Sequence, residues 1–250
     1  DRKISLDGML DLNQGNAAYK ALNDADRALT RAILTTALRH LLRLEAAIGS
    51  LLETPLPEGA RALHHVLIVA AAQILHLDVP SHAAVDLAVE QANRDPRNRR
   101  FAKLVNAVLR RLVREKDDIL VRTAEISPVP AWFMARLTKA YGAEEAARIA
   151  EAQLWPPAID LTVKSDAEGW AGKFNGQILP TGSIRLPAFE GSVSGLEGYE
   201  DGVWWVQDAA AAIPAKLFGD LKGKRIADLC AAPGGKTAQL AAAGADVIAI

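Results

Sequence analysis

The chain has 250 residues, 50% of them hydrophobic and 24% charged, with a formal net charge of −1. That profile predicts a soluble globular protein with material for more than one core, and excludes a global field drawing it to nucleic acid or membrane. The single cysteine excludes an internal disulfide and a multi-cysteine zinc site, and suits a reducing cytoplasm. No signal peptide and no apolar run of membrane-spanning length is recognisable, so no membrane partner is expected. The first residue is Asp1 rather than Met, so an incomplete N-terminus is expected.

Residues 1–126 read as helices in series. Asp24 is a plausible N-cap, and Leu29, Ile33, Ala37, Leu41, Leu44, Ile48 and Leu51 follow at helical spacing. "TPLPEG" breaks the pattern, and Leu63, Val66, Leu67, Ala70, Ile74 and Leu77 restart it. "DVPSH" is the next break, with Ser81 as a cap, and a last long helix carries Phe101, Leu104, Val105, Val108, Leu109 and Leu112. Four or five such helices predict an all-α bundle-like domain.

The two prolines of "SPVPAW" mark a boundary, and residues 128–202 read as a small α/β linking domain. One helix is expected over about 131–153. A half-buried strand is expected at Ile159, Leu161 and Val163, with short segments around Ile178, Ile184 to Leu186 and Val203 to Val206. From residue 203 the chain changes character again. "DAAAAIPAKLF" is helical with a proline break, "RIADLC" is a short strand, Thr237 to Ala243 can form a helix and "ADVIAI" a second buried strand. Strand, glycine loop, helix, strand is the opening βαβ unit of a doubly wound sheet, so 203–250 reads as the start of a Rossmann-like domain.

The glycine loop, "DLCAAPGGKT", falls one residue short of a phosphate-binding loop, because Cys230 stands where the first glycine belongs. Pro233 also offers no N–H to a phosphate. No G-x-G spacing supports a dinucleotide site. What remains is a turn at which Gly234 and Gly235 admit a non-phosphate ligand against the backbone, or a plain glycine hinge.

"WVQDAAAAIPAKLF" followed by "IADLCAAPGGKTAQLA" resembles the cofactor-binding opening of S-adenosylmethionine-dependent RNA cytosine-C5 methyltransferases, closest to the bacterial ribosomal RNA enzymes of Sun or Fmu type. "VPSHAAVDLAVEQA" and "FAKLVNAVLRRL" resemble the NusB-like helical domain fused ahead of those enzymes, and "VPAWFMARLTKAYGAEEAARIAEAQLWPPAIDLTVK" their linking region. The resemblance implies S-adenosyl-L-methionine as cofactor, held by Cys230, Ala231, Ala232, Pro233, Gly234, Gly235 and Lys236. It implies small-subunit ribosomal RNA as substrate and partner, in a cytoplasmic protein expected to be a monomer. The ribose-binding acid of the family falls at or beyond Ile250, and Asp246, at the start of its strand, does not fill the role.

Cytosine C5 methylation needs a nucleophile at C6, for which a thiolate is suited. Cys230 nevertheless matches the first residue of the cofactor loop, not the family's catalytic cysteines, which lie in later loops. Those loops are expected beyond Ile250, so no catalytic residue is assigned here.

"RDPRNRRFAKLVNAVLRRLVREK" is the strongest local basic feature. Taken alone it fits a solvated helix face as well as phosphate contacts. The resemblance implies RNA contact by Arg97, Arg99, Arg100, Lys103, Arg110, Arg111 and Arg114, with Arg31, Arg39 and Arg43 as weaker candidates. His64 and His65 lack partners at metal spacing, so no metal is expected. Trp204 and Trp205 suit either base stacking or a strand entering a core. The rival reading is a non-catalytic RNA-binding, antitermination-like protein with a vestigial methyltransferase segment.

Overall fold

The computed structural model describes residues 4–187 and 193–250. They divide into two compact units, Asp1–Trp155 and Pro156–Ile250.

The first unit is helical. Two short helices, α1 (Leu6–Met9) and α2 (Ala17–Lys20), precede α3 (Asp24–Arg39), α4 (Leu41–Leu51), α5 (Arg61–His76) and α6 (Ser81–Arg94). After a 3₁₀ turn at Arg99–Phe101 come α7 (Ala102–Arg114), α8 (Lys116–Ala124), α9 (Ala131–Tyr141) and α10 (Ala143–Ala152). The apolar stripes of α3 to α8 converge on one core, in which Leu44, Leu63, Leu67, Val105, Leu109, Leu112 and Ile119 are wholly buried. The helix expected from Asp24 to Leu51 breaks at His40, whose ring stacks on His76 with centroids 3.8 Å apart. Its cap is Asn23, one residue before Asp24, which accepts from the Asp26 amide. Ser81 is the first helical residue and makes no capping bond, since Pro80 already supplies the extended entry.

The expected boundary at 126–128 is not where the structure divides. Arg43 explains why: its guanidinium donates to the carbonyls of Ala124 and Ile126 and pairs with Glu151, so α10 is tied to α4. The single helix expected over 131–153 is two, because Gly142 takes φ +83° and turns the chain back on itself.

The second unit opens with a four-stranded sheet of order β2-β3-β1-β4, built from β1 (Asp160–Val163), β2 (Gln177–Ile178), β3 (Ile184–Arg185) and β4 (Trp204–Val206). All its pairings are antiparallel, and α11 (Ala167–Phe174) lies between β1 and β2 in the chain. Leu161, Ile184 and Trp204 form its core. β4 pairs with β1 through Thr162 opposite Trp205, so residues 204–206 belong to this sheet and not to the segment expected to begin at 203. Asp160 is a charged residue inside a strand core, which the alternation of Ile159, Leu161 and Val163 does not foreshadow. It is 3% exposed and satisfied by two bonds from Arg185 and one from the Ala209 amide.

After α12 (Ala209–Lys216) the chain forms β5 (Arg225–Asp228), α13 (Gly235–Ala242) and β6 (Asp246–Ala249). β5 and β6 pair in parallel across α13, which is the expected βαβ unit. The expectation that β6 is buried fails: Ile248 is 47% exposed, because one helix covers only one face of a two-stranded sheet.

Candidate cofactor site

The loop between β5 and α13 is fixed at both ends. The Ala231 amide donates to the Ile250 carbonyl beyond β6, and Thr237 Oγ1 donates to Asp228 Oδ2 at 2.7 Å. Within it the Gly234 amide closes a turn on the Ala231 carbonyl at 2.6 Å, and Ala232–Pro233 is a cis peptide. Gly234 has φ +106° and open space where a Cβ would stand. That backbone delivers Gly235 and Lys236 to the first turn of α13, where amides lack intrahelical partners.

Facing the loop is a wall from the end of β4 and the start of α12. Trp205, Gln207, Asp208 and Ala211 line a cleft of about 480 Å³ together with Cys230 to Lys236. The wall is held by a chain of bonds. Trp205 Nε1 donates to Gln207 Oε1, Gln207 Nε2 to Gln239 Oε1, and Gln239 Nε2 to the Ala212 carbonyl. Gln207 and Gln239 are both buried, so this chain sets the gap between α12 and α13. Asp208 caps α12, accepting from the amides of Ala210 and Ala211.

The structure therefore brings all seven loop residues to one cleft, with Cys230 and Lys236 exposed at its mouth. Periodicity alone does not reveal Trp205, Gln207 and Asp208 as wall residues. The phrase "WVQD" is the available signal. Trp204 is core, 2% exposed with its indole donating to the Glu197 carbonyl, which removes it as a base-stacking residue.

The basic residues lie in the helical unit, and all seven are exposed. Asp95 organises the turn before α7, accepting from the Arg97 amide and from Asn98 Nδ2. Arg99 Nε donates to the Asn93 carbonyl and the Arg100 guanidinium sits 4.7 Å from the Phe101 ring centre. On α7, Lys103, Arg110 and Arg114 recur at seven and four residues, which stacks them in one row. Arg111 lies beside the row and pairs with Glu115 at 2.9 Å. Arg43 is spent on internal bonds and is no longer an RNA candidate. No metal-binding group of three or more ligands exists among the described residues, and no helix among them is long and apolar enough to cross a membrane.

Residues 3–114 match the NusB family. A NusB domain thus stands ahead of an antiparallel sheet and a parallel βαβ unit. Over 247 residues the chain is 34% identical to ribosomal RNA small subunit methyltransferase B of Cronobacter sakazakii, covering 92% of this chain and 56% of that protein. The protein of the same description from Vibrio vulnificus is 35% identical over 265 residues, covering 92% and 58%. The solved structure of PH0851 matches in fold, with a TM-score of 0.61 at 17% identity over 92% of this chain and 55% of that one. The chain is thus similar to Sun/Fmu-type small-subunit ribosomal RNA methyltransferases over nearly its whole extent, and spans about half the length of the curated relatives it matches.

Proposed function

We propose that this chain is the RNA-presenting and cofactor-gripping part of an S-adenosylmethionine-dependent methyltransferase acting on cytosine C5 of small-subunit ribosomal RNA. The observation that carries the reading is the loop Cys230 to Lys236, opening α13 against the Trp205–Ala211 wall. The cleft's size, the open space at Gly234 and the lack of a phosphate-cradle glycine at position 230 fit a sulfonium nucleoside better than a triphosphate.

In this reading the amides of the first turn of α13 and the Lys236 ammonium hold the cofactor's carboxylate, and the glycines allow its close approach. When bound, the cofactor supplies an electrophilic methyl group. Trp205 and Gln207 shield that side from water. A cysteine outside this stretch adds to C6 so that C5 becomes nucleophilic, while Cys230 serves only as a small lining residue. The exposed arginines of the NusB domain hold the RNA backbone, and the protein works as a cytoplasmic monomer.

Calorimetric titration with S-adenosylmethionine and with Mg-ATP tests the cofactor assignment. Binding of the former, uncompeted by excess ATP, is expected, whereas ATP binding alone sinks it. Transfer of a labelled methyl group to cytosine C5 of small-subunit ribosomal RNA by the full protein tests the reaction. A second reading, RNA binding without catalysis, is favoured by the NusB match at residues 3–114 and is the outcome if RNA binds and no methyl group is transferred.

A further inference from the structure

The row of arginines on α7 does not face open solvent on all sides. Between α6 and α7 run two clefts, one of about 510 Å³ lined by Arg94, Arg99 and Asn106, the other of about 460 Å³ lined by Arg110 and Arg114. Asp86, on α6, lines both. Three of the arginines are already bonded to groups that line the first cleft: Arg94 to Glu90 at 2.6 Å, Arg99 to the Asn93 carbonyl and Arg110 to Asn106 Oδ1. Each of those bonds leaves other guanidinium N–H groups free for a ligand. Asp86 differs from them. Among the described residues its exposed carboxylate makes no hydrogen bond and no ion pair, although four arginines line the same two clefts.

A carboxylate set in a groove that would hold phosphates costs affinity for any polyanion, since like charges repel. It lowers the free energy only when a donor edge is presented to it. Single-stranded RNA can do so by turning out a base, and the base best matched to a carboxylate is guanine, whose N1–H and N2–H donate side by side to two oxygens. Adenine, cytosine and uracil each present a single carboxylate-facing donor position on that edge. Resting on the RNA reading above, we propose that the α6–α7 groove is a single-strand RNA site in which Arg94, Arg99, Arg110 and Arg114 take the phosphates and Asp86 selects a guanine. The arginines supply affinity without sequence, and Asp86 supplies sequence at a small loss of general affinity.

The test is fluorescence-anisotropy binding of the full protein to ten-nucleotide RNAs. One is all adenine, one carries a central guanine, and one carries inosine there, which lacks the N2 amino group. The guanine RNA is expected to bind about tenfold tighter than the adenine RNA, with inosine between them. Asp86→Ala is expected to erase that ratio while leaving all-adenine binding equal or tighter. An unchanged ratio in Asp86→Ala, or an equal loss for all three RNAs, overturns the proposal. Arg110→Ala with Arg114→Ala separates this from the underlying reading. If the pair weakens all three RNAs and Asp86→Ala leaves their ratio alone, the groove binds RNA without selecting guanine. If the pair changes nothing, the RNA reading of this face itself fails.

Discussion

Thr237 Oγ1 and Asp228 Oδ2, nine residues apart, meet at 2.7 Å and tie the end of β5 to the first turn of α13. The bond closes the loop that carries Cys230 to Lys236, so loop geometry and helix start are set together. Thr237→Val keeps the shape and removes the donor. It is expected to cost about 1 kcal/mol of stability, and to bring a matching rise of about fivefold in the Kd for S-adenosylmethionine measured by calorimetry.

Gly234 makes a sharper test because its constraint is purely of the backbone. With φ +106° and nothing within 4 Å of where a Cβ would stand, Gly234→Ala meets no clash but forces a side chain into the left-handed region. A loss of about 1–2 kcal/mol in urea unfolding is expected, with weakened cofactor binding. Gly49→Ala, inside α4 with open space around it and no positive φ, is the control and is expected to be neutral or stabilising.

His76 makes the helical unit sensitive to acid. Burial first, then the neighbouring His40, Lys116 and Arg43, lower its pKa from 6.5 to about 4. Burial first, then the Arg43 and Arg39 charges, also lower that of His40. Between pH 6.5 and 4 the unfolded imidazole therefore binds a proton that the folded one refuses. Stability is full above about pH 6.5, falls as the pH drops through this window, and levels off below about 4. The full shift corresponds to about 3.4 kcal/mol, and partial exposure of the ring reduces the loss attributable to His76 to on the order of 2–3 kcal/mol. Urea unfolding at neutral pH and at two points inside the window measures it, and His76→Gln is expected to flatten the profile.

Arg43 is expected to behave as a structural residue, not an RNA contact. Its side chain is 13% exposed and serves two carbonyls and Glu151. Arg43→Ala leaves those acceptors without a donor and is expected to cost about 2–3 kcal/mol by thermal unfolding. Arg43→Lys is expected to rescue little, because one ammonium cannot span the fork. RNA affinity of the folded fraction is expected to stay unchanged.

Lys103 and Arg110 lie in the exposed row and test the phosphate contacts directly. Converting both to Ala is expected to weaken RNA binding to the same degree for every sequence. It also lowers the slope of log affinity against log salt by roughly 0.7 for each phosphate that is no longer neutralised. An unchanged slope removes these two residues from the interface.

Features that depend on neighbours within a few residues were legible before the fold was known. Helical spacing placed the core of the NusB domain from Leu63 to Leu112. Alternation placed β1, short segments between glycines placed β2 to β4, and the glycines between "RIADLC" and "TAQLA" placed the loop of the βαβ unit. The remaining features rest on partners far apart in the chain. The helix break falls at His40, which stacks on His76, and Arg43 reaches Glu151, 108 residues on, across the expected domain boundary. Asp160 sits in a strand core because Arg185 reaches it. Gln207 forms the cleft wall through Gln239, 32 residues on, and Asp86 faces arginines contributed by a second helix. Local signals report the torsional preference and polarity of a segment. The cost of burying or exposing a polar group is set by whatever the fold brings beside it, and no short window of sequence contains that neighbour.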